Sequence, residues 1–142
     1  MDFDFSVVKK GFYRLKLTHF NSSRSISFNQ LISISKDLNE HLQEAKNRFE
    51  IKTIDKGTII YYRQALKLSD NDNTVFSDIV NVLKRNGIIS TDLPDKFSMH
   101  FFADKLDRQY DYIFIIDDKI NPFISIQNEL FELIKSENNE GK

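Results

Sequence analysis

The stretch YDYIFIID, at Tyr110–Asp117, is the most apolar run of the chain and predicts a β-strand at the centre of a sheet. Two upstream segments are also strand-like. FYRLKL at residues 12–17 alternates apolar and basic residues, and GTIIYYRQALKL at residues 57–68 is β-branched and aromatic. KFSMHFF at residues 96–102 predicts a fourth strand, and DKLDRQ, which follows it, predicts a hairpin connection to YDYIFIID.

Three amphipathic helices are expected between and after these strands. The first spans residues 27–49, where SFNQ is a Ser-x-x-Gln capping box and apolar residues recur at steps of three and four. The second begins at Asp72 or Asn73 and ends before Gly87, which supplies a left-handed cap. Asn121 caps the third helix, and a proline begins it.

The resulting order, β-α-β-α-β-β-α, predicts the fold class α+β, with a mixed β-sheet and helices packed on it. We expect one domain at residues 12–136, a loose N-terminal arm at residues 1–11 and a frayed tail at residues 137–142. The composition agrees with one domain, since 142 residues with 40% apolar and 29% charged content can bury one substantial core.

The composition excludes several functional classes. The chain has no Cys, so disulfides, thiolate metal sites and a cysteine nucleophile are excluded. It has no GxxxxGK[ST] or GxGxxG phosphate loop, and its three His lack the HxH or HxxxH spacing of zinc ligands. We find no signal peptide and no apolar run near the roughly 20 residues that span a bilayer. We therefore expect a cytoplasmic protein with no membrane partner.

Asp70, Asp72 and Asp92 lie at or beyond the ends of the second helix, in LSDNDNTVFSDIVNVLKRNGIISTD at residues 68–92. Asp70 and Asp72 are two apart on an extended segment, so both side chains point the same way, about 6.5–7 Å apart. Five residues can span about 17 Å, so the chain after Gly87 can bring Asp92 back towards them. Carboxylates suit Mg²⁺, but Asp and Asn are also common turn residues and helix caps, and both interpretations stay open.

The order strand, long helix, long strand, D-x-D-N, helix, Gly-apolar-apolar, acid and two further strands resembles the RusA family of Holliday junction resolvases. The resemblance covers the topology of residues 12–118, and DNDN at 70–73, NVLKRNGI at 81–88 and Asp92 carry it. It implies a small, phage-associated, Mg²⁺-dependent homodimeric endonuclease that resolves branched, four-way DNA in recombination and repair. Asp70 and Asp72, together with Asp92, would be its catalytic, metal-binding carboxylates.

Basic residues near these acids would then neutralise phosphates of the junction, and the candidates are Arg63, Lys67, Lys84 and Arg85. The net charge of −1 counts mildly against a nucleic-acid partner, although a small basic face can coexist with acidic surface elsewhere. The alternative is a non-catalytic protein-binding module, such as an immunity, inhibitor or regulatory protein, whose acids are only turn and cap. Phe76 and Ser77 favour this alternative, because they occupy the place of the lysine that the RusA family usually carries.

Overall fold

The structure, a computed structural model, describes residues 2–18, 28–65, 72–105 and 110–139. In these residues five strands form one mixed sheet with three helices, so the chain is a single small α+β domain, as predicted. The strands are β1 (Asp2–Lys9), β2 (Phe12–Thr18), β3 (Gly57–Ala65), β4 (Phe97–Lys105) and β5 (Tyr110–Asp117). The helices are α1 (Phe28–Arg48), α2 (Asp72–Arg85) and α3 (Phe123–Asn139).

The sheet has the strand order β1-β2-β5-β3-β4, in which β3 and β4 are parallel and all other neighbours are antiparallel. The predicted central position of β5 is confirmed. Residues 113–116 of this strand are completely buried, at 0% exposure. A central strand has both faces covered, which explains why its side chains form an apolar run instead of an alternating pattern.

The predicted hairpin between β4 and β5 is wrong. β5 pairs with one side of β3 and β4 pairs with the other, so residues 105 and 110 stand on opposite sides of the carboxyl end of β3. The reason lies in the composition of the two strands. β5 is apolar on both faces, which is typical of a strand inside a sheet, and it has a paired strand on each side. β4 carries the exposed side chains of Ser98, Phe102 and Asp104 and lies at an edge of the sheet.

The N-terminal segment is a strand, and not the loose arm expected for residues 1–11. β1 pairs antiparallel with β2, and Gly11 takes a φ of 74° in the turn between them, a conformation that favours glycine. Phe5 is only 4% exposed and belongs to the core. At the other end, α3 continues to Asn139, so residues 137–139, which were predicted to belong to a frayed tail, are helical.

The sheet separates two apolar cores. On one face α1 and α2 pack on the sheet, and this larger core includes Leu38, Leu42, Ile59, Tyr61, Phe76, Ile79, Leu83, Ile113 and Ile115. On the other face α3 packs on the sheet, and this core contains Phe12, Ile60, Tyr62, Tyr112, Phe114, Ile116 and Leu130. Odd-numbered residues of β3 and β5 therefore face α1 and α2, and even-numbered residues face α3.

The helices α1 and α2 end in the same hydrogen-bonded motif. In each case a backbone N–H, from Ile51 after α1 and from Ile88 after α2, donates at 3.0 Å to the carbonyl five residues earlier. The preceding residue takes a left-handed conformation, with φ of 50° at Glu50 and 69° at Gly87. The cap predicted at Gly87 is confirmed, and Glu50 occupies the equivalent position although it carries a side chain.

Candidate metal and nucleic-acid site

The three predicted carboxylates are only partly within the described residues. Asp70 and Lys67 lie outside them. Asp72 is the first residue of α2, as predicted, but its side chain is not among those described. The Asp92 carboxylate is described, is 41% exposed, and lies 3.3 Å from the Lys84 ammonium.

The ion pair with Lys84 places Asp92 beside the C-terminal end of α2. Twelve residues separate Asp72 from Lys84, which corresponds to about 18 Å along the helix axis. Asp92 would have to leave Lys84 to approach the N-terminal end of α2. Within the part of the chain that the structure describes, no group of three or more His, Asp or Glu is placed to hold a metal ion. Since that part omits Asp70 and the Asp72 side chain, the three-carboxylate site stays a prediction.

Two of the predicted phosphate contacts are surface residues. Lys84 and Arg85 both lie in the last turn of α2 and are exposed. The charge of Lys84 is shared with Asp92. Arg85 is therefore the better placed of the two for a phosphate, because it forms no ion pair with another of the described residues.

Arg63 is not a surface residue, and this corrects its prediction as a phosphate contact. Its side chain is 6% exposed, and Nη1 donates to Oδ2 of Asp111 at 2.6 Å. Asp111 is directly opposite Arg63 in the β3–β5 register, and its own side chain is 2% exposed. The guanidinium charge is thus compensated inside the domain, since a buried charge requires a partner.

Asp111 is the centre of a buried polar cluster at the carboxyl end of β3. The hydroxyl of Tyr61 donates to its Oδ2 at 2.7 Å, and the backbone N–H of Gln64 donates to its Oδ1 at 3.1 Å. Both carboxylate oxygens therefore accept hydrogen bonds from β3. Together with the Arg63 contact, these bonds fix the carboxyl-terminal part of β3, which precedes residues 66–71.

The environment of this cluster raises the pKa of Tyr61 well above its ordinary value, first because the phenol is buried and second because the Asp111 carboxylate is close. The nearby Arg63 charge acts in the opposite direction and is outweighed. Tyr61 therefore keeps its proton at neutral pH and donates to Asp111. Its role is that of a fixed donor, and it has no tendency to act as a base.

The cluster lies close to the start of α2. The ring of Phe76 is 5.3 Å from the ring of Tyr61, and Phe76 is four residues, or about one helical turn, after Asp72. The contact between the Tyr61 and Phe76 rings therefore packs β3 against the amino-terminal half of α2. Residues 66–71, which include the first two residues of DNDN, connect β3 to α2.

Tyr61 and Asp111 were not predicted from the sequence as site residues. A signal was present, because Asp111 interrupts the most apolar strand of the chain and Arg63 interrupts another strand. Two opposite charges in buried strands are expected to pair, since isolated charges are rarely buried. The register that sets them opposite each other depends on the strand order, in which β5 pairs with β3 and not with β4 as predicted.

A second basic area lies on the α3 face of the sheet, near β2. The ammonium of Lys16 is 4.2 Å from the centre of the Tyr110 ring and 5.9 Å from that of Tyr112. The Arg14 guanidinium is 6.0 Å from the Tyr112 ring. These residues are on the face opposite α2, so they would not contact DNA that is bound at the start of α2.

No known family model matches this chain, and no curated protein matches it significantly. The resemblance to the RusA family therefore rests on the residues and topology described above. None of the helices within the described residues has the length and apolar character needed to cross a membrane.

Proposed function

We propose that this protein is a cytoplasmic, RusA-like endonuclease that resolves four-way DNA junctions with Mg²⁺ and acts as a homodimer. The observation that most supports this proposal is the ordered structure on both sides of residues 66–71. α2 begins at Asp72, in the middle of DNDN, and the buried Arg63–Asp111 pair fixes the strand that precedes these residues. Such rigid support is what a catalytic loop needs, because carboxylates must be held in place to share metal ions.

In the proposed reaction, Asp70 and Asp72 would hold the metal, and Asp92 would complete the set after leaving Lys84. The Lys84–Asp92 pair is exposed and contributes no more than about 1 kcal/mol, so breaking it costs little. The move also requires the chain around Asp92 to shift towards the other end of α2, since Lys84 and Asp72 are about 18 Å apart along the helix axis. Mg²⁺ bound there would polarise the scissile phosphate and activate water for in-line attack. Arg85 would neutralise a neighbouring phosphate at the other end of α2.

The test of this proposal is cleavage of a synthetic four-way junction compared with linear duplex of the same sequence. Wild-type protein with millimolar Mg²⁺ should nick the junction preferentially. Asp72→Asn should abolish cleavage and keep or tighten binding, because it removes both a metal ligand and a charge that repels phosphate. A wild-type protein that ignores branched DNA at low salt would refute the proposal.

Binding also has a predicted dependence on salt. We expect the log–log slope to be near −0.9 per phosphate neutralised, with about three to five phosphates contacted. Arg85→Ala should flatten this slope by about one phosphate. Lys16→Ala is the matched control, because it removes a basic side chain on the opposite face, and the slope should not change.

The alternative function is a non-catalytic binding module. The Asp92–Lys84 pair favours it, because Asp92 then has a structural partner without any metal. The apolar Phe76, which stands near the place of the usual lysine and packs against Tyr61, favours it as well. Junction binding with the predicted salt slope but no cleavage would identify a relative that has lost catalysis.

A further inference from the structure

The strand β4 forms an open edge of the sheet. It pairs with β3 through nine consecutive residues without a bulge, and no strand among the described residues pairs with its other side. Two apolar side chains are exposed on it, Met99 at 36% and Phe102 at 46%. Such an edge favours association, because its backbone donors and acceptors can pair with another strand.

The opposite edge, β1, is less suited to pairing with another chain. Its register against β2 shifts between Val7 and Lys9, and charged residues stand at both ends of the strand. Bulges and edge charges are the features by which proteins prevent edge-to-edge association. β4 has no proline and no charged residue between Phe97 and Ala103.

We propose that β4 is the interface of a homodimer, in which it pairs antiparallel with β4 of a second copy around a two-fold axis at Phe101. A two-fold axis perpendicular to the sheet keeps each face of one sheet continuous with the same face of the other, so paired residues lie on the same face. The numbers of two paired residues then add up to the same even number for every pair. The midpoint of Phe97–Lys105 is Phe101. This register pairs all nine residues and forms about eight to ten backbone hydrogen bonds.

The register is also complementary in charge. Asp104, which is exposed and accepts a hydrogen bond from the hydroxyl of Tyr62, lies opposite the partner's Ser98. The exposed Lys96 of the partner is the diagonal neighbour of Asp104 on the same face, within reach of a long side chain. The two-fold axis repeats both contacts. No like charges face each other across this interface, which identifies a second copy as a suitable occupant.

The dimer brings the amino-terminal halves of the two α2 helices to the same face. The ring of Phe101 is 5.5 Å from that of Tyr61 and 6.5 Å from that of Phe76, which is one turn from Asp72. An axis at Phe101 therefore sets the amino-terminal halves of both α2 helices beside it. This consequence rests on the proposed function, since a two-fold junction requires two sites on one side of a dimer.

The first test is the mass of the full chain in solution, by sedimentation from micromolar to submillimolar concentration. Wild type should approach twice 16.7 kDa. Phe102→Lys should raise the dissociation constant at least tenfold, because an edge lysine opposes strand pairing. Phe131→Lys is the matched control, since Phe131 is 54% exposed on α3, and the dissociation constant should not change. A monomeric wild type, or a Phe102→Lys variant as dimeric as wild type, overturns the proposal.

The second test concerns the register. Asp104→Lys should weaken the dimer, because it places a second positive charge beside that of the partner's Lys96. Combining it with Lys96→Asp should restore at least half of the lost affinity, measured as the logarithm of the dissociation constant. Circular dichroism verifies that each variant is folded. A double variant that is no tighter than Asp104→Lys alone overturns the register at Phe101.

These tests involve no DNA, so their failure is distinguishable from failure of the proposed function. Junction cleavage by a protein whose β4 variants remain dimeric would refute the interface and leave the nuclease proposal intact. A β4-dependent dimer that neither binds nor cuts junctions would refute the nuclease and leave the interface intact.

Discussion

Replacing Asp111 by Asn should destabilise the domain by about 3–5 kcal/mol. The substitution keeps the shape and the acceptor for Tyr61, but it leaves the Arg63 guanidinium buried, at 6% side-chain exposure, without its carboxylate. Removing one partner of a buried pair typically has a cost of this size. It is a large part of the about 5–15 kcal/mol that stabilises an ordinary domain.

The assay is urea unfolding at neutral pH, monitored by far-ultraviolet circular dichroism. Asp92→Asn is the matched control, because it removes a carboxylate from an exposed pair with Lys84 and should cost no more than about 1 kcal/mol. The double variant Arg63→Met with Asp111→Asn removes both buried charges. It should be within about 2 kcal/mol of wild type, which requires strong coupling between the two sites.

The reasoning would be refuted if Asp111→Asn cost no more than Asp92→Asn. It would also be refuted if the double variant lost the sum of the two single losses. Either result would mean that water or another group compensates the Arg63 charge, and that the cluster does not fix the carboxyl end of β3.

Two further predictions concern the helix ends and alkaline pH. Glu50→Gly should stabilise the protein by about 0.5–1 kcal/mol, since it relieves a left-handed residue, whereas Gly87→Ala should destabilise it by about 1–2 kcal/mol in the same unfolding assay. Because the pKa of Tyr61 is raised in the folded state, unfolded Tyr61 loses its proton above about pH 10 while folded Tyr61 keeps it. Wild type should therefore lose about 1.4 kcal/mol per pH unit there relative to Tyr61→Phe, and equal alkaline slopes for the two proteins would contradict the raised pKa.

Local patterns in the sequence predicted most of the elements. The bounds of β5 and α2 follow from an apolar run that ends at charged residues and from a helix that ends before Gly87. β1 was predictable in principle, because Asp and Phe alternate over residues 2–5, but its position at the terminus suggested an arm. Elements of this kind depend on residues that are close in the sequence, so they can be predicted from the sequence.

The order of the strands could not be predicted in the same way. β4 and β5 are close in sequence, which suggested a hairpin, but both pair with β3. The Arg63–Asp111 pair depends on that order, because the two residues are 48 positions apart and meet only through the β3–β5 register. An arginine in a strand is usually exposed, so its burial follows from the tertiary structure alone.

The most direct test of the central claim, metal-dependent resolution of a four-way junction, is to map the nicks on all four strands of a synthetic junction with Mg²⁺. We predict paired nicks at symmetric positions on two opposing strands for wild type and none for Asp72→Asn. A folded wild-type protein that binds the junction and leaves all four strands intact would contradict the claim.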